Sequence, residues 1–137
     1  MATWCVDASA TGAGSGLDWD NAFTSINACL ENPLHAVEDT YLCRGTFVMS
    51  AYFGASPGHI NFVGVNALGI EDGTNAVIDC NGLSGNIFCF VSGGQIRSKR
   101  FRNFKFQNWA GTLFTGSSGY LGLLMFVRCK FTLGQIL

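Results

Sequence analysis

Two hydrophobic periods divide the chain. Trp19, Phe23, Ile26 and Leu30 fall at i, i+4, i+7 and i+11, which is one face of a helix. Asp18 is placed to cap that helix and Asn32-Pro33 to end it, so a helix is predicted over about Trp19–Glu31. Before it, Thr3–Asp7 reads as a short strand and Ala8–Gly16 as a flexible polar loop. After it the helical period disappears. Short apolar runs follow at Tyr41–Phe47, His59–Val65, Ala76–Cys80, Ile87–Ser92, Arg100–Asn108 and Leu123–Thr132. They are punctuated by Gly54, Ser56-Pro57-Gly58, Gly69, Asp72-Gly73, Asn81-Gly82, Gly93-Gly94, Gly111 and Gly116–Gly119. The pattern predicts one helix followed by strands.

Two all-β arrangements fit. Antiparallel hairpins need two-residue turns between strictly alternating strands, and Asn81-Gly82 allows one of them. Most connections are longer and irregular, which favours a solenoid with a weak repeat. Phe104–Asn108 and Phe126–Phe131 look like corresponding strands of successive coils, about 23 residues apart.

Composition supports short strands and tight turns. The 137 residues hold 12 Phe and 18 Gly but only 2 Pro, and they fit one domain. Only 12% of residues are charged, about half the usual share, so a bare surface would be sticky and an oligomer or docked partner is expected. The opening residues show no secretory pattern, which implies folding in the cytosol if the chain is complete. No apolar run approaches the roughly 18 residues of a membrane span. Six cysteines (Cys5, Cys29, Cys43, Cys80, Cys89, Cys129) form no C-x-x-C pair, and most lie in apolar runs. They read as buried thiols ahead of disulfides or zinc ligands.

The run from Cys5-Val6-Asp7 through Gly12-Ala13-Gly14-Ser15-Gly16 to Asp18-Trp19-Asp20-Asn21-Ala22-Phe23 and Ile26-Asn27-Ala28-Cys29-Leu30 resembles the start of right-handed parallel β-helix proteins of the pectin-lyase-like superfamily. Asp39–Phe47 resembles the family's first wall strand and turn, and His59–Asn66 with Gly73–Gly82 its next coil. The resemblance implies an all-β fold: a short right-handed parallel β-helix with an N-terminal capping α-helix. Residues 1–33 would form strand, loop and cap, and 34–137 the coils of a single domain 1–137. Trp19, Phe23, Ile26 and Leu30 would press the cap onto the first coil. It says little about activity, because this fold hosts lyases, hydrolases, adhesins and viral structural proteins. Enzymes of the family are usually much longer than this chain, whose strands suffice for about two to three coils. The apolar end Phe131–Leu137 has no polar cap, so it is either truncated or covered by another chain.

Charge adds the sharpest signal. All nine acids lie in residues 1–79, and every base except Arg44 lies beyond them. The bases are Arg97, Lys99, Arg100, Arg102, Lys105, Arg128 and Lys130. In a solenoid, sequence order becomes position along an axis, so the chain would have an acidic capped end and a basic open end. The basic residues are the candidate partner-docking set. Their interleaving with Phe101, Phe104 and Phe106 also suits single-stranded nucleic acid, a reading placed behind a solvated basic wall and an acidic protein partner. The hydrophobic phase changes near Arg102–Phe104, which predicts a corner there.

Catalytic signals are weak. Gly12-x-Gly14-x-Gly16 lacks dinucleotide spacing, His35 and His59 are isolated from any ligand cluster, and no G-x-S-x-G occurs. Asp79, Asp7, Asp39 and Asp72 are possible by residue type for polysaccharide cleavage, but no pair is singled out by spacing. The expectation is a non-enzymatic protein that acts by assembly, without cofactor or metal. The setting it points to is a phage particle: a capsid decoration (cement) or tail-associated component, made in host cytoplasm. A homo-oligomer, with a trimer favoured, would meet an acidic surface such as a capsid shell. A carbohydrate-active β-helix enzyme or fragment, or an extracellular adhesin fragment, is the alternative.

Overall fold

The computed structural model describes residues 1–31, 34, 36, 38–50, 59–83, 88–90, 99–110, 114–116 and 124–132. Strands dominate, and every strand pair among them is parallel. The first sheet runs β1 (Thr3–Asp7), β2 (Asp39–Arg44), β4 (Ile60–Gly64), β7 (Lys99–Arg102), β10 (Leu124–Val127). The second runs β3 (Thr46–Val48), β5 (Ala76–Asp79), β8 (Phe104–Gln107), β11 (Lys130–Thr132). A third pairs β6 (Phe88–Phe90) with β9 (Phe114–Gly116), a strand the sequence pattern did not reveal. From β5 onward the chain visits second, third and first sheet in turn, and within each sheet spatial order equals chain order. The hairpin allowed at Asn81-Gly82 is absent: that turn connects strands of two different sheets.

Register stacks like on like. Trp4, Tyr41, Phe62, Phe101 and Phe126 occupy one column of the first sheet. Their successive ring centroids are 6.3, 5.5, 5.0 and 5.8 Å apart. Phe47, Ile78, Phe106 and Phe131 form the facing column of the second sheet. Phe106 meets Phe101 and Phe126 edge-on, at 5.7 and 5.5 Å, so the two columns close one core. Each ring pair contributes about 0.5–1.5 kcal/mol beyond its area burial. The repeat is real but its register differs from expectation. Phe126 lies over Phe101, and Phe131 over Phe106, each 25 residues on; Phe104 and Phe126 are not equivalent.

Corners need left-handed backbone. Crossing from first to second sheet uses Gly45 (φ 88°), Asn103 (φ 58°) and Arg128 (φ 53°). Leaving the second sheet uses Asn81 (φ 50°) and Asn108 (φ 58°). Asparagine tolerates this region better than other residues with a side chain. The corner expected near Arg102–Phe104 is therefore present at Asn103. Gly64 is needed for closeness instead: a Cβ there would strike the Asn103 carbonyl oxygen and the Ala76 nitrogen.

The helix is much shorter than its periodicity predicts. α1 covers only Ile26–Leu30, capped by Ser25, whose Oγ accepts from Ala28 N at 3.1 Å. Asp18 closes a turn instead, accepting from Asn21 N and Nδ2. Phe23 cannot be helical because its backbone is bonded to β1: Phe23 N donates to Cys5 O and Asp7 N donates to Phe23 O. Phe23, Ile26 and Leu30 are nevertheless buried beside Trp4 and Tyr41. Trp19 is not part of that face. It lies half-buried between the Arg44 guanidinium, 4.2 Å from its ring centre, and Gly69.

Candidate partner-docking surface

Strand alternation decides which bases face outward. In β7, Lys99 and Phe101 point in while Arg100 is exposed. Lys99 is only 6% exposed, so it is not a surface docking residue. Arg102 is half-buried and held by Glu71 at 2.8 Å; Glu71 also accepts from Asn103 Nδ2 at 3.0 Å. Arg102 thus fastens the loop Val65–Asn75 to the first sheet. In the second sheet Lys105 and Lys130 are register neighbours on the outer face. Arg128 is exposed at the corner between β10 and β11. Arg97 lies outside the described residues, as do His35 and the segment 133–137.

Four bases therefore remain outward on the last two rungs: Arg100, Lys105, Arg128 and Lys130. None forms an ion pair among the described residues. Adjacent like charges at Lys105 and Lys130 cost stability and favour an incoming anion. Phe131, half-exposed, belongs to the inner face instead: its ring stacks 5.1 Å from Phe106 at the end of the second aromatic column.

Several of the acids are engaged within the fold. Asp39 is fully buried and accepts from Ala2 N (2.6 Å), Trp4 Nε1 (2.9 Å) and Ala36 N (2.9 Å). Asp7 accepts from Ser9 N, Ser9 Oγ and, at 2.6 Å, Arg44 Nε. Burial raises its pKa, but the Ser9 hydrogen bonds and Arg44 outweigh that and hold it below the usual carboxylate range. Arg44 also donates to Ala67 O at 2.6 Å. Asp79 accepts from Gln107 Nε2, Asn108 Nδ2 and Asn81 N. There too burial pushes upward, and the amide donors with Lys105 win, so the net shift is downward. Asp72, exposed, is lowered to about 2 by Thr74 and Asn66.

The carboxylates proposed for a cleavage groove thus each serve a local bond. A furrow of about 470 Å³ runs beside Asp7 and Arg44, and a second of about 350 Å³ shares them and reaches Trp19 and Asp20. Asp7 stays ionised there and paired with Arg44, the wrong state for a general acid. Among the described residues no group of three His, Cys, Asp or Glu could hold a metal. Cys5, Cys29, Cys43, Cys80 and Cys129 are free thiols. Burial raises Cys80 to about 11 and raises Cys43 further, which makes both poor nucleophiles.

Sequence reasoning missed Arg44 as the hub of the first rungs and Glu71 as the clamp on Arg102. Both contacts depend on register, since Asp7 faces Arg44 only once β1 and β2 are paired. The burial of Lys99 had a signal: two residues from Phe101 in one strand, it shares that residue's face. No family model, no curated protein and no solved structure matches the chain.

Proposed function

We propose that this chain is a short right-handed parallel β-helix that works by assembly, as a structural component of a phage particle such as a capsid decoration or tail-associated protein. Support for the solenoid comes from the parallel sheets, in which spatial order follows chain order, and from the aromatic columns in register. The observation that carries the assembly reading is the outward set Arg100, Lys105, Arg128 and Lys130 on the same rungs as the half-exposed Phe131, which ends the second aromatic column. Basic outer walls beside a half-covered apolar end fit an acidic protein surface: charge gives orientation and on-rate, and apolar burial supplies most of the affinity. The partner is a neighbouring copy, a trimer being favoured, or an acidic shell.

Native mass spectrometry over a concentration and salt series tests this, together with co-sedimentation with emptied phage capsids. Oligomers or capsid binding that weaken with salt, and weaken again in R100Q/K105Q/K130Q, are expected. Arg102 is left intact in that variant because it holds Glu71. A chain that stays monomeric and leaves capsids bare at low salt overturns the reading.

A further inference from the structure

Single exposed apolar residues need no explanation, but a cluster rimmed by charge does. Leu17, Leu68 and Ile70 are 72%, 78% and 56% exposed, and they sit on two loops that meet outside the first sheet. The meeting point is Trp19 against Gly69, so close that a Cβ on Gly69 would lie 2.7 Å from the indole. Arg44 pins both loops, stacking on Trp19 and donating to Ala67 O. Each loop is also braced from within. Cys5 N donates to Gly16 O, and Asn66 Oδ1 accepts from Leu68 N and Ile70 N. The apolar set is thus held in place before any partner arrives, which lowers the ordering cost of binding. Asp18 and Asp20 flank Trp19 in the chain, and Asp72 follows Ile70 by two residues. All three acids are exposed, and no base is bonded to them among the described residues.

We propose that this acid-rimmed apolar patch docks on the outer face of the second sheet of another copy of the chain, with Lys105 and Lys130 against its acids. That face is complementary in both respects. Register puts Thr46, Val77, Lys105 and Lys130 in one outward column. Val48, 64% exposed, lies two residues along β3 on the same side. Asp79 shares this face, but Gln107, Asn108 and Asn81 already occupy its carboxylate. Among the described residues no acid of the same chain is bonded to either lysine, so their counter-charge comes from outside. Charge also selects the pairing. Patch on patch would set acid against acid, and face on face lysine against lysine, whereas patch on face sets opposite charges together around apolar side chains. Because it joins unlike surfaces, the contact is heterologous and either closes into a ring or runs on as a filament. This inference rests on the assembly reading above and names its partner.

The test is sedimentation velocity of the full chain at low salt, alone and in mixtures of two variants. L17S/L68S removes apolar surface from the patch, and K105E/K130E reverses the charge of the facing sheet. Each variant alone should self-associate at least about tenfold more weakly than the parent. Mixed one to one, they should form a heterodimer with about the parent's affinity, because the intact patch of one meets the intact face of the other. Leu17 and Leu68 are both more than two-thirds exposed, and a thermal melt matching the parent's checks that L17S/L68S is folded. Self-association unchanged in L17S/L68S but lost in K105E/K130E overturns the patch and leaves assembly through the bases standing. A parent that stays monomeric yet binds emptied capsids overturns contact between copies and leaves the shell as partner. A mixture that forms no heterodimer overturns the heterologous pairing.

Discussion

The first rungs and the last rungs of this molecule use charge in opposite ways. On β1 and β2, Arg44 is bonded to Asp7 and Ala67, and its guanidinium lies on Trp19. On β7, β8, β10 and β11, Arg100, Lys105, Arg128 and Lys130 face outward with no acid bonded to them among the described residues. Sequence charge is therefore an incomplete guide to surface charge. Six of the nine acids (Asp7, Asp18, Asp39, Glu71, Asp72 and Asp79) serve turns, corners and clamps, whereas four of the seven bases beyond residue 80 face outward. On the function proposed above, docking would use the later rungs, while Arg44 ties the first ones together.

The deepest test concerns the aromatic column that spans both regions. Phe101 is 1% exposed and touches Phe62, Phe104, Phe106 and Phe126. Phe101→Ala should cost about 3–5 kcal/mol in denaturant unfolding. Phe126 lies on the last rung and is only partly buried, so Phe126→Ala should cost distinctly less. Equal losses would mean that the last rung is as well covered as the middle, which would weaken the case for an open docking end.

Next in size is the contrast between bases. Arg44→Met breaks a pair whose carboxylate is 8% exposed and whose guanidinium is 26% exposed. Allowing for partial solvent screening, it should lower stability by about 2–3 kcal/mol. R100Q/K105Q/K130Q should stay within about 0.5 kcal/mol of the parent, because none of these side chains forms an ion pair among the described residues and the pull of Lys105 on Asp79 is solvent-screened. A thermal melt of both variants decides it: if the triple variant melts far below the parent, the outward bases are structural after all.

Acid should act on the engaged carboxylates. Asp7 and Asp79 have folded pKa values below their unfolded ones. The stability they contribute is present above about pH 4 and is lost as pH falls through the folded values. Lys99 has the opposite sign: its lowered pKa penalises the folded state while the amine is charged, and the penalty fades as pH rises toward the unfolded value near 10. Melting temperature against pH should therefore drop on the acid side, less steeply in Asp79→Asn. Lys99→Met should flatten the alkaline side. An unaltered acid limb in Asp79→Asn would show that its amide ladder contributes nothing.

Much of the architecture could be read from the chain, and the misreadings have physical causes. Strand phase exposed the corner at Asn103, because the apolar set switches face across it. The helix was over-extended because periodicity at Trp19, Phe23, Ile26 and Leu30 ignores what lies between. Asp20, Asn21, Thr24 and Ser25 are poor helix formers, the Asp20 and Asn21 carbonyls accept from Gly12 N and Gly16 N, and β1 claims the Phe23 amide and carbonyl. Of the seven candidate docking bases, the split between exposed, clamped and buried depended on register and on a loop folding back across the sheet. Neither is visible in a linear pattern.

That loop provides the finest test. Val65–Asn75 is braced at its neck by Asn66, whose Oδ1 accepts from Leu68 N and Ile70 N, and by Asp72, which accepts from Thr74 N and Asn66 Nδ2. Glu71 is its tie to the later rungs, through Arg102 and Asn103. The ion pair is about one-third exposed on both sides, so Glu71→Gln should cost only about 0.5–1 kcal/mol. Its more telling effect is on charge. With Glu71 neutral, Arg102 loses its counter-ion and joins the outward bases, so association with an acidic surface should strengthen at low salt while stability falls slightly. Measuring both in one variant sets the two regions against each other. Weaker association instead would mean that Glu71 keeps the loop in a shape the partner itself recognises.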